Sequence, residues 1–480
     1  METERGCARD IIVRDSDAFR RVANPVYHIG ALKKLVQSVP PPAKADRPVR
    51  VLGPEWKGVM DRLDNHRYRS WRWSRNALFE SLKYVALKFD RTFYICIRDN
   101  KVWGVHTIAF RSFNDPLARF IEIPEDSPPG IRARLVGCLV NFSAPATAVL
   151  SDPSTPYEPS KVLGTTINAP MEASTWKHIH YMHEVRYLFK TLCRTRKVPD
   201  VDFIVNYKDR VILRRDGREP NLNVGNLPHQ GPHIPRAMLP VLSFCTARGY
   251  LDIPIPPVDD IVRAFRLFTP RLDCKPPPNY ARMPWDKRVP TAVFRGACTG
   301  CGVSVHDNAR INLAHMDAAW SQSPGVPLLD AGLVDPFPRL KKLAGSRKIR
   351  VINVDHLSKT VSLKSFMTPE EQGAYKYAVY VEGNVLAYRL GGMFDSGSVV
   401  LYVNSEYQPW YFHLLRDGVN CVLVQRDLSN LRSKLLWLRQ NDSQAQRIAE
   451  QGRRLAEVVL SKPDILDYVQ SLLWGARCEK

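Results

Sequence analysis

The last third of the chain alternates strand and helix patterns, and this limits the folds open to it more than any other feature. Residues 348–354, 377–381, 398–403 and 421–424 read as strands, and 384–394, 410–416, 428–439 and 444–460 read as helices. Val399-Val-Leu401 and Val422-Leu-Val424 are short unbroken apolar runs, the pattern of strands buried on both faces. Strand–helix–strand units close by right-handed crossovers, which gives a parallel sheet flanked by helices. The first half repeats the theme less regularly. Helical spacing runs from Asn76 to Ala86, strands at 92–97 and 102–105 flank Asp99-Asn100, a helix covers 176–194, and strands follow at 201–206 and 239–244. At 480 residues the chain is too long for one ordinary core. The predicted fold is therefore α/β, with two Rossmann-like lobes facing a cleft. The expected division is a flexible basic N-terminal arm over 1–50, ending near Pro40-Pro41-Pro42, and a first lobe over 51–265. A proline-rich linker over 266–290, a second lobe over 291–465 and a C-terminal helix over 466–480 that packs back complete it.

Charge narrows the partners. Lys and Arg number 69 against 48 Asp and Glu, and the resulting +21 attracts phosphate in a nucleic acid, an anionic membrane face or a small phosphorylated substrate. No run of eighteen apolar residues offers a spanning helix. The first 21 residues mix both charge signs without an apolar core, unlike a secretory signal, so a cytoplasmic location is expected. Ten scattered cysteines fit reduced thiols better than a disulfide framework.

Several segments are candidates for chemistry. Gly383-Asn384 lies where a strand should turn into a helix, and free N–H groups of that helix would face the carboxyl edge of the sheet, where anions bind. Arg389 is placed to reach the same anion, although an ordinary turn with a surface arginine reads the same way. Phe294-Arg295-Gly296, with Thr299 and two further glycines, reads as a loop able to approach a ligand. Asp209 follows the strand 201–206 at its carboxyl end, where a carboxylate can take a proton from a hydroxyl or simply pair with Lys208 or Arg210. Metal patterns are weak: Cys298-x-x-Cys301 has no second pair, and His178, His180 and His183 do not share one helix face. Asp200-Val-Asp202 precedes its strand instead of following it, so no metal is expected. Two basic clusters, 66–75 and 339–350, suit nucleic acid or a solvated face.

Taken in order, these segments resemble glycosyltransferase family 90, the protein O-glucosyltransferase and capsule-associated group, and especially its cytosolic branch in large DNA viruses. The carriers are Asn76–Val105, the run from Pro199 to Asp209, Arg215-Asp-Gly-Arg-Glu-Pro220, Leu242-Ser-Phe244 with Asp252-Ile-Pro-Ile-Pro256, and Phe294-Arg-Gly296. Tyr375 through Ser398, Pro409-Trp-Tyr-Phe412, Gly418-Val-Asn420 and Arg426-Asp-Leu428 continue the pattern. The resemblance implies a GT-B fold and inverting transfer from a UDP-sugar, glucose or xylose, to a hydroxyl of a protein or glycan, without a metal or other cofactor. It implies Asp209 as the base, and Phe294, Arg295, Gly296, Thr299, Arg310, Gly383, Asn384, Arg389 and Ser398 around the nucleotide sugar. Two departures bear on activity and acceptor: Arg210-Val211 replaces the aromatic-proline pair after the acid, and Cys298 replaces a second arginine, for which Arg310 could substitute. The alternative is a basic protein of the same fold that has lost catalysis and binds nucleic acid or another polyanion.

Overall fold

The computed structural model describes residues 29–43, 73–88, 92–108, 121–122, 184–207, 209–215, 238–267, 283–300, 302, 304–321, 325–335, 340–342, 349–351 and 359–476. His178, His180, His183, Cys301, the cluster 66–72 and the prolines of 268–282 lie outside these residues.

The first sheet contains β1 (Thr92–Arg98), β2 (Lys101–Ile108), β4 (Val201–Asn206), β5 (Val241–Ser243) and β7 (Ile253–Pro254), in the order β2-β1-β4-β5-β7. The β1/β2 hairpin turns at Asp99 and Asn100, whose φ values of 47° and 57° are the left-handed pair of a tight turn. β1 pairs antiparallel with β4, and β4, β5 and β7 run parallel. Every residue of β1 and β4 is buried. The one carboxylate within β4, Asp202, is buried with its charge met by Arg98 at 2.7 Å and by the Tyr94 hydroxyl at 2.6 Å. Asp200 accepts from the Ala43 and Asp99 amides. The Asp-x-Asp pair thus braces the amino end of β4, whereas Asp209 lies beyond its carboxyl end.

The second sheet contains β8 (Val289–Ala297), β9 (Leu329–Asp335), β12 (Tyr375–Tyr380), β13 (Val399–Val403) and β15 (Val422–Val424). Its order is β15-β13-β12-β8-β9 and every pair is parallel. The helices Leu431–Gln440 and Asp442–Val459 supply Leu435, Leu438, Ala445, Ile448 and Ala449 to the apolar cluster on one face. The repetition predicted from sequence is therefore real, with two changes. Of the strand expected at 348–354, the described residues form β11 (Ile349–Val351), which pairs with β10 (Leu340–Lys342) and β3 (Ile121–Glu122) outside the main sheet. The helix expected at 410–416 is a single 3-10 turn, Phe412–Leu414. The basic stretch 339–350 thus falls partly on β10 and β11.

Residues 29–43 correct the expectation of a flexible arm. Helix Ile29–Ser38 buries Leu32, Leu35 and Val36, with Val39 beyond its end, in the core of the first lobe. This is the i, i+3, i+4, i+7 stripe of an amphipathic helix. Arg98 Nε donates to the Pro40 carbonyl at 2.8 Å, which pins the prolines that follow. At the other end of the chain, helix Lys462–Ala476 lies against the first lobe. Arg196 pairs with Asp467 at 2.7 Å, and Trp474 Nε1 donates to the Lys197 carbonyl at 3.1 Å.

The lobes meet along a built seam. β6 (Thr246–Ala247) of the first pairs antiparallel with β14 (Tyr407–Gln408) of the second. Helix Val258–Phe265, at the end of the first lobe, carries Asp260 and Arg263 into the seam. Arg263 pairs with Asp395 at 3.2 Å, and Asp260 accepts from Trp410 Nε1 at 3.0 Å. A Cβ on Gly391 would stand 2.5 Å from Asp260 Oδ1, so the close approach needs that glycine. Burial pushes the Asp260 carboxyl up to about 7. Its folded-state value exceeds the ordinary one, so the stability it contributes is complete at low pH and lost as pH rises through 7. Asp260→Asn is expected to raise Tm at pH 8 by an increment worth a few kcal/mol, of order ~3. That gain should shrink to nothing as pH falls toward 4, and identical melting at pH 8 would refute the assignment.

Candidate functional site

β8 determines the site. The strand runs through Ala297, so Phe294, Arg295 and Gly296 belong to it and not to a loop as expected; the loop begins at Cys298. Gly300 and Gly302 then take φ of 96° and 93°, backbone that other side chains rarely adopt. Asn308 then caps helix Ala309–Trp320. Its Oδ1 accepts from the Arg310 and Ile311 amides, and its Nδ2 donates to the Thr299 and Gly302 carbonyls. One asparagine therefore fixes both the loop and the helix that carries Arg310.

Arg310 is buried and joins two strand ends. It donates to the carbonyls of Glu382 at 2.7 Å, Ala297 at 2.9 Å and Val381 at 3.0 Å. Arg389 approaches from the following turn, its Nη1 donating to the Arg295 carbonyl. The two guanidinium carbons lie 5.8 and 5.3 Å from the Phe294 ring centroid, so both cations rest on one aromatic side chain. Gly296 makes this possible: a Cβ there would come within 2.7 Å of Phe294 Cζ and 3.2 Å of Arg310 Nη1. A Cβ on Gly383 would stand 3.4 Å from Arg310 Nη2 and 3.5 Å from Thr299 Oγ1.

The electrostatics are unusual. Among the described residues, neither Arg310 nor Arg389 has a carboxylate within ion-pair distance. Burial, and next the charge of Arg389, pull Arg310 down to about 9; burial also lowers Arg389. Arg389 Nε is buried without a hydrogen-bond partner among the described residues. Two desolvated cations side by side cost stability unless an anion joins them. They line a hollow of about 360 Å³, together with Arg295, Gly296, Ala387, Tyr388 and, from the first lobe, Asp259.

Asp209 is joined to this hollow through Tyr388. It is exposed, three residues past the end of β4, and its Oδ1 accepts from the Tyr388 hydroxyl at 2.9 Å. Its loop is held from below. Asn206 Nδ2 donates to the Arg210 carbonyl and to Ser243 Oγ, and the buried Asp252 accepts from the amides of Ile212 and Leu213 and from Ser243 Oγ at 2.6 Å. Burial raises Asp252 to about 6, against the pull of those bonds.

Three expected site residues are placed differently. Arg295 lines the hollow, but its Nη2 donates to both carboxylate oxygens of Asp330, at 2.9 and 3.1 Å, so its charge is already neutralised. Lys364 and Tyr375 hold the same carboxylate at 2.8 and 2.6 Å. The helix expected from Asn384 begins only at Leu390, with Arg389 as its cap residue. Gly383 N donates to the Val385 carbonyl and Ala387 N to the Tyr380 hydroxyl, which fixes 383–389 as a turn. Asn384 is exposed on that turn, ahead of the helix. Ser398 immediately precedes β13 and binds Arg288 and the Tyr375 carbonyl at the amino edge of the sheet, opposite the hollow. The sequence reading missed Tyr388 and Asn308 as functional residues. Asn308, a capping residue before an apolar helix, was the signal available for Arg310.

The family model for glycosyl transferase family 90 matches residues 177–475. Uncharacterized protein 179R of Invertebrate iridescent virus 6 is 27% identical over 89% of this chain and 40% of its own length. Protein O-glucosyltransferase 3 of Rattus norvegicus is 26% identical over 59% of this chain and 48% of its own. Human protein O-glucosyltransferase 1 is 26% identical over 55% and 64%. The chain thus spans roughly half the length of the curated relatives it matches. The crystal structure of Anabaena Alr3699/HepE with UDP and glucose superposes with a TM-score of 0.27 at 14% identity, over 40% of this chain and 49% of that one. So slight a superposition adds nothing to the fold described above. No helix among the described residues is long and apolar enough to cross a membrane. With its family model matched over residues 177–475, the chain belongs to glycosyl transferase family 90.

Proposed function

We propose that the chain transfers a sugar, glucose or xylose, from a UDP-sugar to a hydroxyl of a protein or glycan, with inversion and without a metal. The observation that carries the reading is the pair Arg310 and Arg389: two guanidinium groups with no carboxylate in ion-pair contact among the described residues, on a hollow whose Tyr388 bonds Asp209. A diphosphate is the anion that suits two adjacent forks. In the reaction the acceptor oxygen attacks the anomeric carbon as its proton passes to Asp209. The bond from that carbon to the diphosphate oxygen breaks, and UDP leaves. Negative charge grows on the leaving diphosphate, where Arg310 and Arg389 stabilise it. Protein O-glucosyltransferases among the relatives support glucose and a protein acceptor.

A thermal-shift titration tests this reading. UDP, UDP-glucose and UDP-xylose are each expected to raise Tm with ligand concentration, equally with and without EDTA. A shift that chelator removes would contradict the metal-free part. Salt-sensitive oligonucleotide binding with no response to any of the three would favour the polyanion-binding alternative.

A further inference from the structure

We infer that Tyr388 positions the carboxylate of Asp209 and ties it to the turn that carries Arg389. The inference rests on Asp209 being the base proposed above. Tyr388 immediately precedes Arg389, and its side chain lines the same hollow. Its hydroxyl donates to Asp209 Oδ1 at 2.9 Å, from the second lobe to the first. The ring that carries this hydroxyl is itself held: it meets Phe244 edge-on, with centroids 5.6 Å apart and planes at 83°. Phe244 is buried and follows Ser243, which belongs to the network beneath the Asp209 loop. The hydroxyl therefore comes to Asp209 from a ring seated on the same part of the first lobe that supports the Asp209 backbone.

The chemistry explains why such a support matters. Asp209 is exposed, and an exposed carboxylate turns freely about its last bond. A base that must collect a proton in the transition state loses rate for the fraction of time its lone pair points elsewhere. With Oδ1 held by Tyr388, Oδ2 is the oxygen left to accept the proton of the incoming hydroxyl. Asp252 and Asn206 hold the loop from the first lobe alone, whereas the Tyr388 bond exists only while the lobes are together. The same residue that follows it, Arg389, faces the diphosphate site, so the base is oriented by the turn that contacts the donor. Tyr388 does not itself take or give the proton; it acts through Asp209.

Tyr388→Phe isolates the claim, because it keeps the ring against Phe244 and removes only the hydroxyl. Steady-state UDP release is measured with UDP-glucose and UDP-xylose, and UDP affinity by calorimetry. On whichever donor turns over faster, kcat is expected to fall about tenfold while the Kd for UDP is unchanged. In an Asp209→Asn background the same substitution is expected to have no further effect. Wild-type kcat in Tyr388→Phe, an equal loss in both backgrounds, or a loss confined to UDP affinity would each overturn the inference. Its failure is separable from that of the reading beneath it. Asp209→Asn with full turnover, or wild-type protein that turns over neither donor, removes the base assignment. An inactive Asp209→Asn beside an unaffected Tyr388→Phe removes only the role given to the tyrosine.

Discussion

Asp209→Asn is expected to lower the rate of sugar transfer by about a thousandfold and to leave UDP binding as it was. The magnitude is that of removing a positioned general base. Asparagine occupies the same space and can still accept from the Tyr388 hydroxyl, so the seam between the lobes is preserved. The carboxylate is exposed and outside the cluster of cations that lines the hollow, which is why donor affinity should not follow kcat. In kinetic terms the loss falls on kcat and on kcat/KM equally, the signature of an interaction made only in the transition state. Steady-state kinetics beside calorimetry decide it, and a variant that keeps wild-type kcat excludes Asp209 as the base.

Arg389→Met is expected to weaken UDP binding by a factor of about 10 to 100, the worth of a charge-assisted hydrogen bond or two. The companion expectation is sharper. Arg389 has no carboxylate partner among the described residues, its Nε is unsatisfied, and the Arg310 guanidinium lies over the same Phe294 ring. Replacing it with an apolar chain of similar length should therefore leave the Tm of the unliganded protein unchanged or higher while the UDP-induced shift disappears. Arg310 is not an equivalent target. Its three bonds to the carbonyls of Ala297, Val381 and Glu382 hold two strand ends together, so its removal should lower Tm as well as affinity. A drop in unliganded Tm for Arg389→Met would mean that its cation is structural and would weaken the case for an anion site.

What the sequence revealed follows from where the information sits. The strands of the second lobe were legible because burial on both faces leaves unbroken apolar runs such as Val399–Val403. Asp209 was legible because its strand could be placed, and a residue just past the carboxyl end of an α/β strand lies at the functional edge. The turn 383–389 was misread because Val385, Leu386, Leu390 and Phe394 are buried at helix-like spacing, although hydrogen bonds from Gly383 and Ala387 determine their backbone. The pairing of Arg295 with Asp330 joins residues on neighbouring strands, β8 and β9, and no local pattern announces it. Ser398 shows the reverse error. It lies in a segment that resembles the family, but at the start of its strand, and in a parallel sheet the start and the end are on opposite edges. The helix Ile29–Ser38 is written in the spacing of Leu32, Leu35, Val36 and Val39, although the proline run that follows it reads as a flexible arm. Arg310 came only from the resemblance; its burial under three carbonyls depends on packing between distant segments.

The central claim is that the hollow between the lobes grips a diphosphate through Arg310 and Arg389. A crystal structure of the protein soaked with UDP tests it most directly. The account predicts diphosphate oxygens within about 3.2 Å of guanidinium nitrogens of both Arg389 and Arg310, with Asp209 facing the site of the missing sugar. UDP bound elsewhere, or a diphosphate held by other cations while Arg310 and Arg389 make no contact with it, would contradict it.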